Sequence, residues 1–146
     1  MSFEIINATE EHIQQIAEIE LKNFSLPWDA SMLSACLNQQ HIFLVAIDDD
    51  EVLGYVSIQH VLDEGYFNNI AVCEERRNQG VADALMKRLD ASAKECGLSF
   101  VTLEVRQGNE KAISLYLKHG YQQAGLRKKY YEKPVEDAVI MTKFLK

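Results

Sequence analysis

Proline is nearly absent from these 146 residues: Pro27 and Pro134 stand far apart. They mark loops, and no Pro-rich linker divides the chain. Cysteine is scarce and odd in number. Cys36, Cys73 and Cys96 are widely spaced, which fits neither a disulfide framework nor a zinc-ligand pattern, and no metal is expected. No apolar run approaches the roughly 20 residues of a membrane-spanning helix, so no membrane partner is expected. The start, Met1-Ser2-Phe3-Glu4, has neither a basic flank nor a signal-like apolar stretch, so the expected location is cytoplasmic. Basic residues are in deficit, 15 Lys and Arg against 22 Asp and Glu, for a net charge of −7. A general nucleic-acid binder carries the opposite balance. An acidic surface serves solubility or suits a cationic partner, such as an amine or a basic peptide.

What is present is an ordinary globular balance, 47% hydrophobic and 25% charged. The length predicts a single domain over residues 1–146. A chain of that size buries about two-thirds of the surface its unfolded form exposes.

Hydrophobic periodicity and turn residues then divide the chain. Phe3 to Ile6 reads as a strand. Thr9 caps a helix in which Ile13, Ile16, Ala17 and Phe24 recur at helical spacing. Leu26-Pro27-Trp28-Asp29 breaks it, and a short helix follows from about Ala30 to Asn38. Ile42 to Ile47 and Val52 to Val61 form a hairpin across Asp48-Asp49-Asp50. That acidic triplet lacks the glycine and distal Glu of a calcium loop and reads as a solvated turn. Tyr66 to Val72 is a strand and Val81 to Glu95 an amphipathic helix stopped by Gly97. Ser99 to Val105 is a strand. Asn109 caps a helix reaching His119, ended by Gly120. Tyr121 to Leu126 and Ala138 to Phe144 are strands joined by a polar loop. The order β-α-α-β-β-β-α-β-α-β-β predicts an α/β (α+β) fold. Its sheet is mixed and twisted, with helices on both faces and the Tyr66 and Ser99 strands parallel.

Three segments carry chemistry. In Arg77-Asn78-Gln79-Gly80-Val81-Ala82, between a strand and a helix, Gly80 and Ala82 leave the backbone uncovered. Its N–H groups and the helix N-terminus form a pyrophosphate-sized anion cradle. The spacing is neither a Walker loop nor a dinucleotide fingerprint, and an ordinary strand-to-helix turn reads equally well. In Leu103-Glu104-Val105-Arg106, an unpaired carboxylate within an apolar strand is costly. Glu104 therefore either faces a cleft, where it serves as a general base, or pairs with a neighbouring Arg. In the helix opened by Asn109, Ala112, Ile113 and Tyr116 share one face, so Tyr116 points toward the sheet, as a core tyrosine or as a site residue.

Taken together, these segments resemble the GCN5-related N-acetyltransferase (GNAT) family over essentially the whole chain. The R-x-x-G-x-A loop matches that family's acetyl-coenzyme A signature. Phe67-Asn68-Asn69-Ile70-Ala71-Val72, Leu103-Glu104-Val105-Arg106, Asn109, Ala112-Ile113, Leu115-Tyr116, Gly120-Tyr121, Tyr130-Tyr131, Glu136-Asp137-Ala138 and Pro27-Trp28 look like its bacterial ribosomal-protein-alanine acetyltransferase branch.

The resemblance implies a sheet of about seven strands that splays between its two central parallel strands. It implies acetyl-coenzyme A as co-substrate. Ile70, Ala71 and Val72 would offer backbone groups to the pantetheine arm. Asn78, Gln79, Gly80, Val81, Ala82 and Asp83 would supply N–H groups to the pyrophosphate, and Asn109 would contact the cofactor. Glu104 would be the base and Tyr116 the acid that protonates the leaving thiolate. Gly108, where the family often carries a side chain, departs from the pattern and is expected to loosen its loop. The implied acceptor is the N-terminal alanine of a small-subunit ribosomal protein, a basic partner that agrees with the −7 charge. An acceptor groove is expected between the Leu26-to-Ser31 and Lys128-to-Asp137 loops. Tyr130 and Tyr131 line it or are surface and core aromatics. Two other readings stay open: acetylation of a small amine such as a polyamine or an aminoglycoside, and a non-catalytic acyl-coenzyme A-binding module.

Overall fold

The computed structural model describes residues 2–146. The strands are β1 (Glu4–Asn7), β2 (His41–Asp48), β3 (Glu51–Val61), β4 (Glu64–Val72), β5 (Phe100–Arg106), β6 (Gln122–Tyr131) and β7 (Glu136–Phe144). The helices are α1 (Glu10–Asn23), α2 (Ala30–Ser34), α3 (Val81–Glu95) and α4 (Glu110–Lys118). All seven strands join one sheet in the order β1-β2-β3-β4-β5-β7-β6. The first four are antiparallel neighbours, β4 and β5 run parallel, and β7 returns antiparallel to both β5 and β6.

Strand alternation sorts the core into two layers. On β2, Ile42, Leu44 and Ala46 face one side, with Leu85, Met86 and Leu89 of α3. Phe43 and Val45 face the other, against Ile13, Ile16 and Ala17 of α1 and Leu33 of α2. A sheet buried on both faces needs nearly continuous apolar strands, and His41–Asp48 supplies one. The α1 stripe follows the expected helical period, but it includes a charge: Glu20 is fully buried.

Two boundaries differ from the sequence reading. The helix from Ala30 ends at Ser34, four residues short of Asn38, although Asp29 caps it by accepting the Met32 N–H at 2.9 Å. β6 continues past Leu126 to Tyr131, through residues that read as a polar loop. It is the outermost strand of the sheet, and an edge strand tolerates charged side chains that a central strand would reject.

The feature that positions the site is the parting of β4 from β5. Their pairing covers only Glu64–Phe100, Gly65–Val101 and Tyr66–Thr102. Beyond it, β4 stays with β3 to Val72 and β5 stays with β7 to Arg106. The divergence coincides with a bulge. Ser57 opposes Asn69 and Ile58 opposes Phe67, leaving Asn68 as the extra residue. Such a bulge bends the strand that carries it. Among the described residues, no helix is long and apolar enough to cross a membrane.

Candidate active site

A cleft of about 950 Å³ opens where β4 and β5 part. Its walls are β4 from Phe67 to Val72, β5 from Leu103 to Arg106, the start of α3, the inner face of α4, the α1–α2 loop and Tyr130 and Tyr131. Of the residues singled out from the sequence, Glu104, Tyr116, Ile70, Ala71, Val72, Asn78, Gly80, Val81, Ala82, Asp83 and Asn109 all border it. Gln79 does not, and its side chain donates to the Glu75 carbonyl.

At the α3 end, Asn78 (φ 63°) and Gly80 (φ 82°) adopt left-handed conformations that lead directly into the helix. Glycine has no side chain to cap α3, and the first intrahelical bond is Ala84 N–H to the Gly80 carbonyl, at 3.0 Å. The N–H groups of Val81, Ala82 and Asp83 are left without helical acceptors. A side chain built on Gly80 would enter open space rather than protein. These uncapped donors at a positive helix end fit a pyrophosphate. The Asp83 side chain turns away to α4, where it accepts from His119 at 2.8 Å and Lys118 at 3.1 Å. The His119 hydrogen bond, chiefly, holds its carboxyl below the ordinary aspartate value. Only the Asp83 backbone is thus free for an anion. Asn109 likewise uses its side chain on the protein, accepting the Ala112 N–H at 3.2 Å to cap α4.

Along β4, Cys73 donates its N–H to the Leu53 carbonyl of β3 at 2.8 Å. Alternation then turns the Ala71 backbone toward β3 and the backbone groups of Ile70 and Val72 toward the gap. Those two residues present unpaired donors and acceptors along the cleft.

Glu104 and Tyr116 belong to opposite layers of the core. Leu103 and Val105 point to the α3–α4 layer, which also holds Tyr116. Glu104 alternates to the other face. In an unbroken sheet the two side chains would be separated; the parted strands admit both to one cleft. Tyr116 is only 6% exposed and packs edge-on against Phe67, ring centroids 5.8 Å apart. Burial, chiefly, pushes its phenol far above the ordinary tyrosine value. It therefore keeps its proton at any working pH.

The pairing of Glu104 with Arg106 that the sequence allowed is not made. Arg106 takes Glu136 at 3.3 Å and the carbonyls of Glu132 and Pro134 at 2.9 and 2.8 Å. Glu104 instead lies close enough to Tyr130 to raise its phenol above the ordinary tyrosine value, ahead of the effect of burial. Tyr131 sits among these groups. Burial first and Glu104 second push its phenol up to about 12. Gly108, expected to loosen its loop, does the reverse. Its N–H donates to Glu136 at 2.7 Å, and a Cβ there would stand 2.7 Å from that carboxylate. Glycine is what lets Glu136 reach in and tie the loop.

Sequence reasoning missed Glu20, and it quoted Arg106 and Glu136 within motifs without assigning either a role. A carboxylate at position 20, one helical turn on from Ile16 and Ala17 in an apolar stripe, was the available signal for the first. Among the described residues no cluster of three or more His, Cys, Asp or Glu is arranged to hold a metal. The three cysteines are free thiols.

Comparison with known proteins agrees with this geometry. The sequence model of the acetyltransferase (GNAT) family matches residues 12–121. A ribosomal protein bS18-alanine N-acetyltransferase of Haemophilus influenzae is 33% identical over 135 residues, covering 90% of this chain and 92% of its own length. The crystal structure of the ribosomal-protein-S18-alanine N-acetyltransferase from Escherichia coli superimposes with a TM-score of 0.92 at 27% identity. That match spans 99% of this chain and 94% of the other. An N-acetyltransferase from Staphylococcus aureus Mu50 shares the fold at a TM-score of 0.87 and 20% identity, over all of both chains. The chain belongs to the GNAT acetyltransferase family and is an acetyl-coenzyme A-dependent N-acetyltransferase.

Proposed function

We propose that this enzyme acetylates the α-amine of a protein N-terminus, the N-terminal alanine of a small-subunit ribosomal protein. The observation that carries the reading is the shape of the cleft around Glu104. The carboxylate faces a channel walled on one side by the α1–α2 loop and on the other by Tyr130 and Tyr131. A channel open between two such walls suits an extended chain end. The names of the Haemophilus influenzae and Escherichia coli relatives support the acceptor class, and the net charge of −7 suits a basic partner.

Acetyl-coenzyme A supplies an activated thioester when bound. The uncapped N–H groups of Val81, Ala82 and Asp83 would hold its pyrophosphate, and the backbone of Ile70 and Val72 would line its arm. An amine is mostly protonated at neutral pH. Glu104 accepts that proton, directly or through one water, and frees the lone pair for attack. A backbone N–H of the parted β4 would be available to stabilise the negative charge that develops on the acetyl oxygen. Tyr116, still protonated, would deliver its proton to the departing thiolate and be made good by the second proton that the nitrogen sheds as the amide forms, while the proton on Glu104 passes to solvent. Holding amine and thioester together supplies most of the acceleration. No covalent enzyme intermediate is needed, so no thiol is assigned a role in the reaction.

The test is acetylation of a panel of N-terminal peptides, polyamines and aminoglycosides, read by mass. Alanine-starting basic peptides should be preferred. Turnover of polyamines with none of peptides would overturn the assignment.

A further inference from the structure

Glu20 is 0% exposed. Its three partners are neutral donors. Oε1 accepts the Trp28 N–H at 2.8 Å, and Oε2 accepts from Asn69 Nδ2 at 3.0 Å and from the Tyr55 hydroxyl. A buried carboxylate without a cation is a poor way to stabilise a core. An apolar residue would complete the α1 stripe beside Ile13, Ile16 and Ala17. What the carboxylate does that an apolar residue does not is join distant segments. Trp28 lies in the α1–α2 loop and Asn69 on β4, and both line the cleft; Glu20 and Tyr55 do not. Asn69 immediately follows the bulged Asn68 and precedes Ile70, whose backbone faces the gap. Asn68 is fastened separately, to Ser57 Oγ at 3.0 Å.

We infer that Glu20 is a positioning residue that holds the acceptor-side loop at a fixed distance from the thioester-side strand. It does so from behind the cleft, through one oxygen to each wall. The inference rests on the proposed acceptor groove. Glu20 touches neither substrate.

Glu20→Met keeps the side-chain length and removes both acceptor oxygens, so the Trp28 N–H and Asn69 Nδ2 lose their ties together. Glu20→Gln is the conservative variant: its oxygen keeps the Trp28 N–H, while its amide donates to a flipped Asn69 and a rotated Tyr55, so both ties survive. The expected result in Glu20→Met is an acceptor KM raised at least tenfold, an acetyl-coenzyme A KM within twofold of wild type, and faster amide exchange confined to Trp28 and Asn69 and their neighbours, with Glu20→Gln close to wild type. Tyr55→Phe removes the one hydrogen bond to Glu20 that reaches neither wall. It should lower the melting temperature and leave the acceptor KM within twofold. An unchanged acceptor KM in Glu20→Met overturns the inference, as does an equal rise in Tyr55→Phe. Should Glu20→Met fail to fold, Asn69→Ala breaks the β4 tie from its cleft end. The same rise is expected there, and no rise overturns the inference. If wild type turns over only a small amine, the proposed acceptor class fails, and the same KM criteria are read with that amine.

Discussion

The guanidinium of Arg106 lies 4.5 Å from the centroid of the Tyr131 ring, while its nitrogens reach Glu132, Pro134 and Glu136. One side chain at the end of β5 thereby fixes the β6–β7 connection and orients a tyrosine that borders Glu104. Arg106→Ala removes hydrogen bonds from a charged donor, each worth about 1.5–3 kcal/mol, and a cation–π contact of about 0.5–1 kcal/mol. The expected outcome is a lower melting temperature and weakened acceptor binding, with acetyl-coenzyme A affinity kept. Arg106→Lys should recover little of this, because an ammonium lacks the planar fork. Thermal melts and paired KM measurements check both variants.

Glu104→Gln should lower turnover on the order of 10²–10⁴-fold at neutral pH while leaving cofactor affinity nearly intact. The defect should shrink at high pH, where the amine arrives deprotonated. Wild-type turnover in this variant would make Glu104 structural and move the base elsewhere.

For Tyr116→Phe, the ring keeps its contacts with Phe67 and Tyr121. Packing should survive with a loss of at most ~1.5 kcal/mol. Turnover should fall at least tenfold. Melting and rate, measured on one preparation, separate the two roles: a core tyrosine changes the first, a general acid the second. Turnover within twofold of wild type would mean that solvent protonates the thiolate.

Acetyl-coenzyme A at 100 times its dissociation constant should stabilise the fold by about 2.7 kcal/mol. Gly80→Glu should abolish that shift. It puts bulk and negative charge at the anion site, and it forces a side chain onto a backbone at φ 82°, a left-handed strain of about 1–2 kcal/mol. A persisting shift would place the pyrophosphate elsewhere.

Asp83→Asn distinguishes side chain from backbone at the same helix start. The Asp83 carboxyl is held below the ordinary aspartate value, first by His119. Its contribution is therefore present above the unfolded value, about 3.9, and is lost as pH falls through the lower folded value. The group is a third exposed, so the cost of the variant near neutrality should be at most about 1 kcal/mol. The gap between variant and wild type should close in strong acid. The ligand-induced shift should persist, because the backbone N–H remains.

The α3 helix was legible to the residue, since Gly80 and Gly97 punctuate it and its apolar stripe is regular. The parallel neighbours and the order of elements followed from the same punctuation. The end of α2 did not, because a single turn of helix carries too little periodicity to fix its length. The outer half of β6 was hidden by Arg127, Lys128 and Lys129, which an exposed edge accepts. Glu104 was legible as a carboxylate out of keeping with an apolar strand, whereas Tyr116 fits the apolar face of its helix and was singled out by the family resemblance alone. Glu20 left a signal as a carboxylate in the apolar stripe of α1, but what it does was not legible, because its donors lie 8, 35 and 49 residues away and meet only in the folded chain.

The seam between β4 and β5 is three residue pairs long. A sheet of this size is therefore two plates, β1 to β4 and β5 to β7, hinged along a short line and braced by α3. A ligand arm carrying its own amides, if laid in the gap, would supply the rungs that the strands omit. Binding would then lengthen the sheet rather than merely fill a pocket. The free enzyme should be softest along Phe67–Val72 and Leu103–Arg106, and it should stiffen there as one piece when the cofactor enters.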